Sequence, residues 1–123
     1  MANRNFNRRQ ALEKEVKDLY VRVSVGASGA PTLVSRIGIA SIARDSAGTY
    51  TLVLQDRYVA LKFFQVSFLD DSAQDLRAQI LDDSSATADK YIQFATLTGA
   101  SATDPQSGQT MLIKIELKNT TAV

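Results

Sequence analysis

Apolar and polar residues alternate through most of the chain from Tyr20 onward, which is the period of a β-strand with one buried face. The first such stretch is "YVRVSV", where Val21, Val23 and Val25 alternate with polar residues. It ends at "GASGAP", whose glycines and proline are typical of a turn. We therefore predict a half-buried strand that ends near Val25.

The next stretch, "LVSRIGIASIARD", keeps the alternation at Ile37 and Ile39, but Ile42 falls out of step. A β-bulge adds one residue to one strand of a pair. A bulge near residues 38 to 40 would therefore bring all three isoleucines into one pattern.

A hairpin is expected around the motif "DSAG" at 45 to 48, which has the composition of a short turn. The pattern pairs residues 37 to 44 with residues 49 to 55. In the second strand of this hairpin the residues predicted to share one face are Tyr50, Leu52 and Leu54.

Further strand patterns follow toward the C-terminus, although the segment around residue 78 also fits a helical turn. Together they make about six or seven strands, which favours an antiparallel β-sandwich or barrel over a parallel α/β sheet. The apolar positions that define them are Phe64, Val66 and Phe68, then Leu76, Ala78 and Ile80, then Ile92 and Phe94, and finally Met111, Ile113, Ile115 and Leu117.

The connector "QDRYVA" at 55 to 60 contains no glycine, proline or asparagine, so it lacks the residues of a tight turn. We expect it to cross from one sheet of the sandwich to the other. Tyr58 and Val59 would then cap the end of the core.

The N-terminal region has a different period. Leu12, Val16, Leu19 and Tyr20 follow the spacing of one narrow helical stripe, and Asn7 can cap a helix over residues 7 to 20. A helix of this length is marginal alone and must pack on the body or on a partner. We predict an N-terminal helix or arm over 1 to 19, and a single β domain over 20 to 123.

Composition narrows the possible functions. The 123 residues suit one domain with a real core, and 45% are apolar. There is no cysteine and no histidine, which removes disulfides, thiolate metal sites and most hydrolase, nuclease and zinc mechanisms. No apolar run approaches the roughly 20 residues that span a bilayer, so a soluble protein is expected.

Charge is unevenly distributed although the net charge is only +1. Residues 1 to 12 carry Arg4, Arg8 and Arg9 without any acidic residue, whereas residues 70 to 89 carry six aspartates against Arg77. Such polarity suits a subunit that docks onto another surface. A basic arm with one aromatic residue could also contact nucleic acid. Three arginines are a small basic footprint for that role, so a protein partner is favoured.

Candidate chemistry is sparse. The pairs Asp70 with Asp71 and Asp82 with Asp83 could bind a cation, but they lack the ligand spacing of a calcium loop. No phosphate-binding glycine motif is present, and the long loop "GASATDPQSGQ" is a disorder-prone surface or contact loop. Phenylalanines that could line a ligand pocket are expected to form the core instead; they are Phe63, Phe64, Phe68 and Phe94.

The basic N-terminal segment, "RIGIASIARDSAGTYTLVLQDRYVALKFFQVSF" and the closing "TMLIKIELKN" together resemble the small β-structured virion proteins of tailed bacteriophages, in particular head decoration (cement) proteins. The likeness covers roughly residues 33 to 118. It implies a non-enzymatic protein, commonly trimeric, that binds the major capsid protein on the outside of the head without a cofactor.

The interface residues that this resemblance suggests lie in the arm, with the arginines meeting acidic capsid surface and the apolar residues as anchors. Deletion of residues 2 to 12 is expected to leave a folded body that no longer binds capsids. The candidate interface residues are Arg4, Phe6, Arg8, Arg9, Leu12 and Val16.

Three other functions stay open. A neck, tail or baseplate adaptor would use the same stiff body at another place in the particle. A carbohydrate- or ligand-binding β module would bind glycans or small molecules, although the chain has no tryptophan for sugar stacking. An enzyme that uses carboxylates alone would need two acids converging in a cleft with perturbed pKa values.

Overall fold

The computed structural model of the protein describes residues 16 to 35 and 37 to 118. These residues form nine strands and one short 3-10 turn at Ala27–Gly29. The strands are β1 Val16–Val25, β2 Pro31–Ser35, β3 Ile39–Ser46, β4 Thr49–Leu54, β5 Ala60–Leu69, β6 Arg77–Ser84, β7 Tyr91–Thr98, β8 Ser101–Ala102 and β9 Thr110–Lys118. No helix in the described part of the chain is long and apolar enough to cross a membrane.

Two antiparallel sheets pack face to face. Sheet I has the strand order β2-β1-β9-β5, and sheet II has the order β3-β4-β7-β6 with β8 paired to β7. The first and last long strands, β1 and β9, therefore lie side by side in the middle of sheet I. This arrangement confirms the predicted mainly β fold with antiparallel sheets.

The core fills the space between the sheets with residues from alternate positions of each strand. Val23 and Ile115 of sheet I and Leu52 and Phe94 of sheet II are completely buried. The rings of Tyr50 and Phe94 stack with centroids 5.6 Å apart. Burying a side chain of this size stabilises the fold by about 1.5 to 3 kcal/mol. The buried residues occupy the alternate positions that the sequence pattern predicted.

The helix predicted over residues 7 to 20 is wrong for Val16–Tyr20, which are the first half of β1. Residues 7 to 15 lie outside the described residues. β1 pairs with β9 from Val16 through Ser24, and Leu19 is buried with the three valines that follow it. Leu19 fits both a helical stripe and a period of two, so local spacing could not distinguish a helix from a strand. The backbone pairing with β9 selects the strand.

The predicted hairpin forms, but its first strand is Ile39–Ser46 rather than 37 to 44. Ile37 was expected to share a pattern with Ile39 and Ile42; this is wrong, because Ile37 lies outside the strand and is 82% exposed. β3 and β4 pair antiparallel, and the register shifts between Ile39 and Ser41, where the bulge was expected. A bulge there lets Ile39 face the core completely while Ile42 packs partly against it. Gly48 closes the turn with a φ of +70°, a left-handed conformation that favours glycine.

The connector between β4 and β5 does cross from sheet II to sheet I, as its composition predicted. The Tyr58 backbone N–H donates to Ser85 O at 3.0 Å, and the Val59 N–H donates to Lys118 O at 2.9 Å. Tyr58 is buried with 6% exposure and caps the core. The same expectation is wrong for Val59, which is 41% exposed, because adjacent extended residues point in opposite directions.

The structure also settles or corrects what was expected for the segment around residue 78, for Phe63 and for the loop after β7. The ambiguous segment around residue 78 is strand β6. Phe63 was expected in the core but is 43% exposed, because strand alternation puts it on the same outward face as Gln65 and Ser67. The loop after β7 was expected to be disorder-prone, yet it contains β8 and a side chain, Asp104, with three hydrogen bonds.

Candidate interaction surface

The outward face of sheet I carries the most conspicuous candidate site. Because β1 pairs in register with β9 and β9 with β5, outward side chains form rows across three strands. One row consists of Tyr20, Lys114 and Gln65, and the next consists of Arg22, Leu112 and Ser67. Strand alternation fixes this arrangement, since the neighbouring positions on each strand face the core.

These rows line an open groove of about 520 Å³, to which Ser35 of β2 also contributes. We call it the sheet I groove; its outward side chains are Tyr20, Arg22, Ser35, Gln65, Ser67, Leu112 and Lys114. It combines an aromatic ring, an aliphatic side chain, two cations and several hydrogen-bonding groups. Of these residue types, tyrosine and arginine are enriched at protein interfaces.

The groove contains two cations, and the next row on the same face, Asp18 with Glu116, carries two carboxylates. Lys114 Nζ lies 5.9 Å from the centroid of the Tyr20 ring and 3.4 Å from Glu116 Oε1. The lysine therefore interacts with an aromatic face and a carboxylate together, each a modest contact at this exposure. Arg22 adds a second cation, and the residues that line the groove include no carboxylate.

Large apolar side chains are exposed on the same face. Tyr20 is 61% exposed and Leu112 is 37% exposed, and Phe63 and Leu69 of β5 are also exposed. Single exposed apolar residues are ordinary, but several on one face of one sheet make that face a candidate contact surface. The periodicity of β9 could have shown that Leu112 faces outward, but the groove itself depends on strand order, which was not predicted.

Of the interface residues predicted from sequence, Val16 is the one in the described part of the chain. Val16 is half-buried at the start of β1, where it pairs with Lys118. It occupies the same sheet as the groove, four residues before Tyr20. The other five, which are Arg4, Phe6, Arg8, Arg9 and Leu12, lie outside the described residues.

Aspartates of the two predicted acidic pairs accept hydrogen bonds from neighbouring residues. Asp82 accepts a hydrogen bond from the Tyr91 hydroxyl at 2.6 Å, and Asp83 accepts one from the Ser85 hydroxyl at 2.6 Å. Gln109 Nε2 donates to Asp70 at 2.8 Å, and this bond is the main cause that lowers the pKa of Asp70. Within residues 16 to 35 and 37 to 118, no three acidic residues come together as a metal site.

One end of the sandwich carries a polar cluster that the sequence did not indicate. Asp104 accepts hydrogen bonds from Arg44 Nε at 2.9 Å, from Arg44 Nη2 at 2.8 Å and from the Gly48 backbone N–H at 2.7 Å. The bonds from Arg44 are the main cause that lowers the pKa of Asp104. The cluster joins the loop after β7 to the β3–β4 turn.

The nearby Tyr50 hydroxyl donates to Gly29 O at 2.7 Å, inside the same end of the sandwich. Burial, reinforced by the charge of Asp104, raises the pKa of Tyr50 to about 12. The hydroxyl therefore stays neutral at physiological pH and serves as a hydrogen-bond donor that ties β4 to the turn after β1.

Comparisons of the chain with protein-family models, with curated proteins and with solved structures found no match.

Proposed function

We propose that the protein is a decoration (cement) protein of a tailed-bacteriophage head, which binds the major capsid protein on the outside of the shell and stabilises the lattice. The observation that supports this most is the sheet I groove, where exposed apolar side chains and two cations lie on a rigid sheet. The likeness of the chain to phage virion proteins supports the same role.

The proposed role needs a stiff body rather than a reactive site. The body has a continuous core between two sheets, and in its described part every buried side-chain nitrogen or oxygen has a hydrogen-bond partner. Such a body loses little conformational entropy when it binds, so modest contacts repeated over many identical sites give a stable coat. A homotrimer would multiply these contacts further.

The test compares groove variants in binding to expanded phage heads that lack the protein. Tyr20→Ala combined with Leu112→Asn is expected to lower co-sedimentation with the heads by about tenfold or more, because it removes exposed contact residues while leaving the core intact. The matched control is Leu81→Ala, since Leu81 is 50% exposed on sheet II. Equal binding by the groove variant and the control would contradict the proposal.

A carbohydrate- or ligand-binding module is a second candidate, favoured by one feature of the groove. The exposed Tyr20 ring lies in one row with the Gln65 amide, and rings beside amides suit ligands with both apolar and hydroxyl groups. Glycan-array binding by the isolated protein that disappears in Tyr20→Ala would favour this function. Head binding without glycan binding would favour the decoration role.

A further inference from the structure

Among the described residues, the strands at the edges of the two sheets differ in how well they resist pairing with another chain. The edges are β2 and β5 of sheet I and β3 and β6 of sheet II. Protein edges are commonly protected by short length, proline, bulges or charged side chains. β2 has five residues and begins with a proline, while β3 and β6 have register shifts and charged residues. β5 is the edge with the least protection.

The unprotected part of β5 is Phe63–Leu69. It pairs with β9 without interruption, and its sequence, "FFQVSFL", contains no charged residue, glycine or proline. The backbone N–H and C=O groups that point away from β9 have no partner strand among the described residues. We call this side of Phe63–Leu69 the β5 edge. A regular, uncharged edge is where an added β-strand binds.

An opening of about 420 Å³ between β5 and β6 lies beside the β5 edge. The Phe64 ring centroid lies 5.2 Å from that of the buried Phe94, and Phe64, Val66 and Ala78 pack against the core while remaining partly exposed. Ile80 pairs with Phe94 and yet is 37% exposed. Side chains that belong to the interior are therefore left uncovered along this side of the sandwich.

We propose that the β5 edge of a second copy of this chain covers this side, so that two β5 strands pair antiparallel about a two-fold axis at Val66. Val66 is the midpoint of Phe63–Leu69, so this register uses the whole uninterrupted stretch of both copies. The two copies of sheet I become one continuous sheet. The partly exposed side chains of each β5 are then covered by those of the other.

The apolar side chains on the outer face support this register. Phe63 of each copy lies opposite Leu69 of the other, and these side chains are 43% and 51% exposed in the single chain. A shift of two residues would place Phe63 opposite Ser67 or Asp71 instead, and a shift of one residue would set outward side chains against inward ones. The register at Val66 is the one that joins the two exposed apolar residues.

Charge complementarity supports the same register and favours a second copy over an unrelated strand. Lys62 immediately precedes the paired stretch, and Asp70 and Asp71 immediately follow it. All three residues are exposed. Antiparallel pairing brings the lysine of each copy beside the aspartates of the other, once at each end of the interface. Opposite charges facing each other across strands stabilise the pairing, and like charges destabilise it.

The assembly is a two-fold dimer with an isologous interface, the commonest symmetry of soluble oligomers. It takes the place of the homotrimer that the resemblance implies. Opposed residues of an antiparallel pair share a face, so both copies of the sheet I groove lie on the same side of the dimer. The dimer does not depend on the proposed decoration function, but it would present two grooves to one surface.

A reciprocal charge exchange in full-length protein tests the dimer. Sedimentation equilibrium of the wild type is expected to give twice the mass of one chain. Lys62→Asp and Asp70→Lys each place like charges together at both ends of the interface, so each variant alone is expected to associate about tenfold or more weakly. Mixing the two restores opposite charges at both ends and is expected to restore the dimer. Lys17→Asp, at an exposed lysine of the central strand β1, is the control and should dimerise like the wild type.

Four outcomes would overturn the proposal: a wild-type monomer, a wild-type trimer, a Lys62→Asp variant that associates as tightly as Lys17→Asp, or a mixture that stays monomeric. Asp70 also accepts a hydrogen bond from Gln109, so circular dichroism checks that each variant is folded. The measurement uses no phage heads. Failure of the dimer is therefore distinguishable from failure of the proposed decoration function.

Crosslinking tests the register without changing Asp70, because the native chain has no cysteine. Phe63→Cys mixed with Leu69→Cys is expected to form a disulfide between copies, since directly opposed residues of antiparallel strands lie within disulfide distance. Each variant alone is the control, because its two cysteines would lie six residues apart along the strands, about 20 Å. Equal crosslinking by the mixture and by either variant alone, or no crosslinking in the mixture, would refute this register.

Discussion

Asp104 shows how one side chain can fix a long loop. Its carboxylate satisfies an arginine from β3 and a backbone N–H from the β3–β4 turn, so the loop after β7 is tied to a hairpin far away in sequence. Nothing in the local sequence around Asp104 indicates this, because its partners lie 60 and 56 positions away. Residue-level contacts of this kind could not be predicted from spacing.

Acid should weaken this tie, and the sign follows from the pKa of Asp104. That pKa is lowered in the folded protein, so the stabilisation is present above the unfolded value of about 3.9 and is lost as pH falls through the folded pKa. Asp104→Asn is expected to lower Tm at pH 7 and to reduce the loss of Tm between pH 5 and pH 2, measured by calorimetry. Unchanged acid sensitivity in Asp104→Asn would contradict this assignment.

Gly48 tests the packing of the same loop. A Cβ at Gly48 would lie 2.8 Å from the Ala102 carbonyl carbon and 2.9 Å from Thr96 O, whereas a Cβ at Gly99 would meet nothing within 4 Å. Both glycines have positive φ, so an alanine at either costs about 1 to 2 kcal/mol of backbone strain. The clash in Gly48→Ala is expected to add about 1 to 3 kcal/mol, measured by urea unfolding.

Gly99→Ala is the matched control for that comparison, since it shares the strain without the contact. Equal free energies of unfolding for the two variants would show that the loop does not press on the hairpin turn.

Among the elements, strands with a strict period of two were predicted correctly and the N-terminal element was not. Met111, Ile113 and Ile115 alternate without exception, and all three are buried. Leu19 fits the period of a helix as well as that of a strand. Its pairing with β9, nearly a hundred residues later in the chain, selects the strand. Strand order and the sheet I groove depend on such distant pairings, which is why the sequence predicted the antiparallel β fold but not this groove.

The connector between the sheets offers a test with a matched pair of adjacent residues. Tyr58→Ala removes a buried aromatic cap and is expected to lower the free energy of unfolding by about 3 kcal/mol or more. Val59→Ala changes a side chain that is 41% exposed and should cost within about 0.5 kcal/mol. Denaturant unfolding measures both, and similar costs for the two would contradict the capping role of Tyr58.

At the scale of the whole molecule, the proposed function needs only the outer face of sheet I. The sheet I groove lies on that face, while the opposite face of the sheet contributes to the core. In the proposed assembly the groove contacts the shell, so binding leaves the core intact.

The most direct test of the decoration role is a cryo-electron microscopy reconstruction of expanded phage heads before and after addition of the purified protein. The proposal predicts extra density on the outside of the lattice, at repeated positions between capsid subunits, with the sheet I groove facing the shell. Heads without added density, or density confined to the neck or tail, would contradict the proposal.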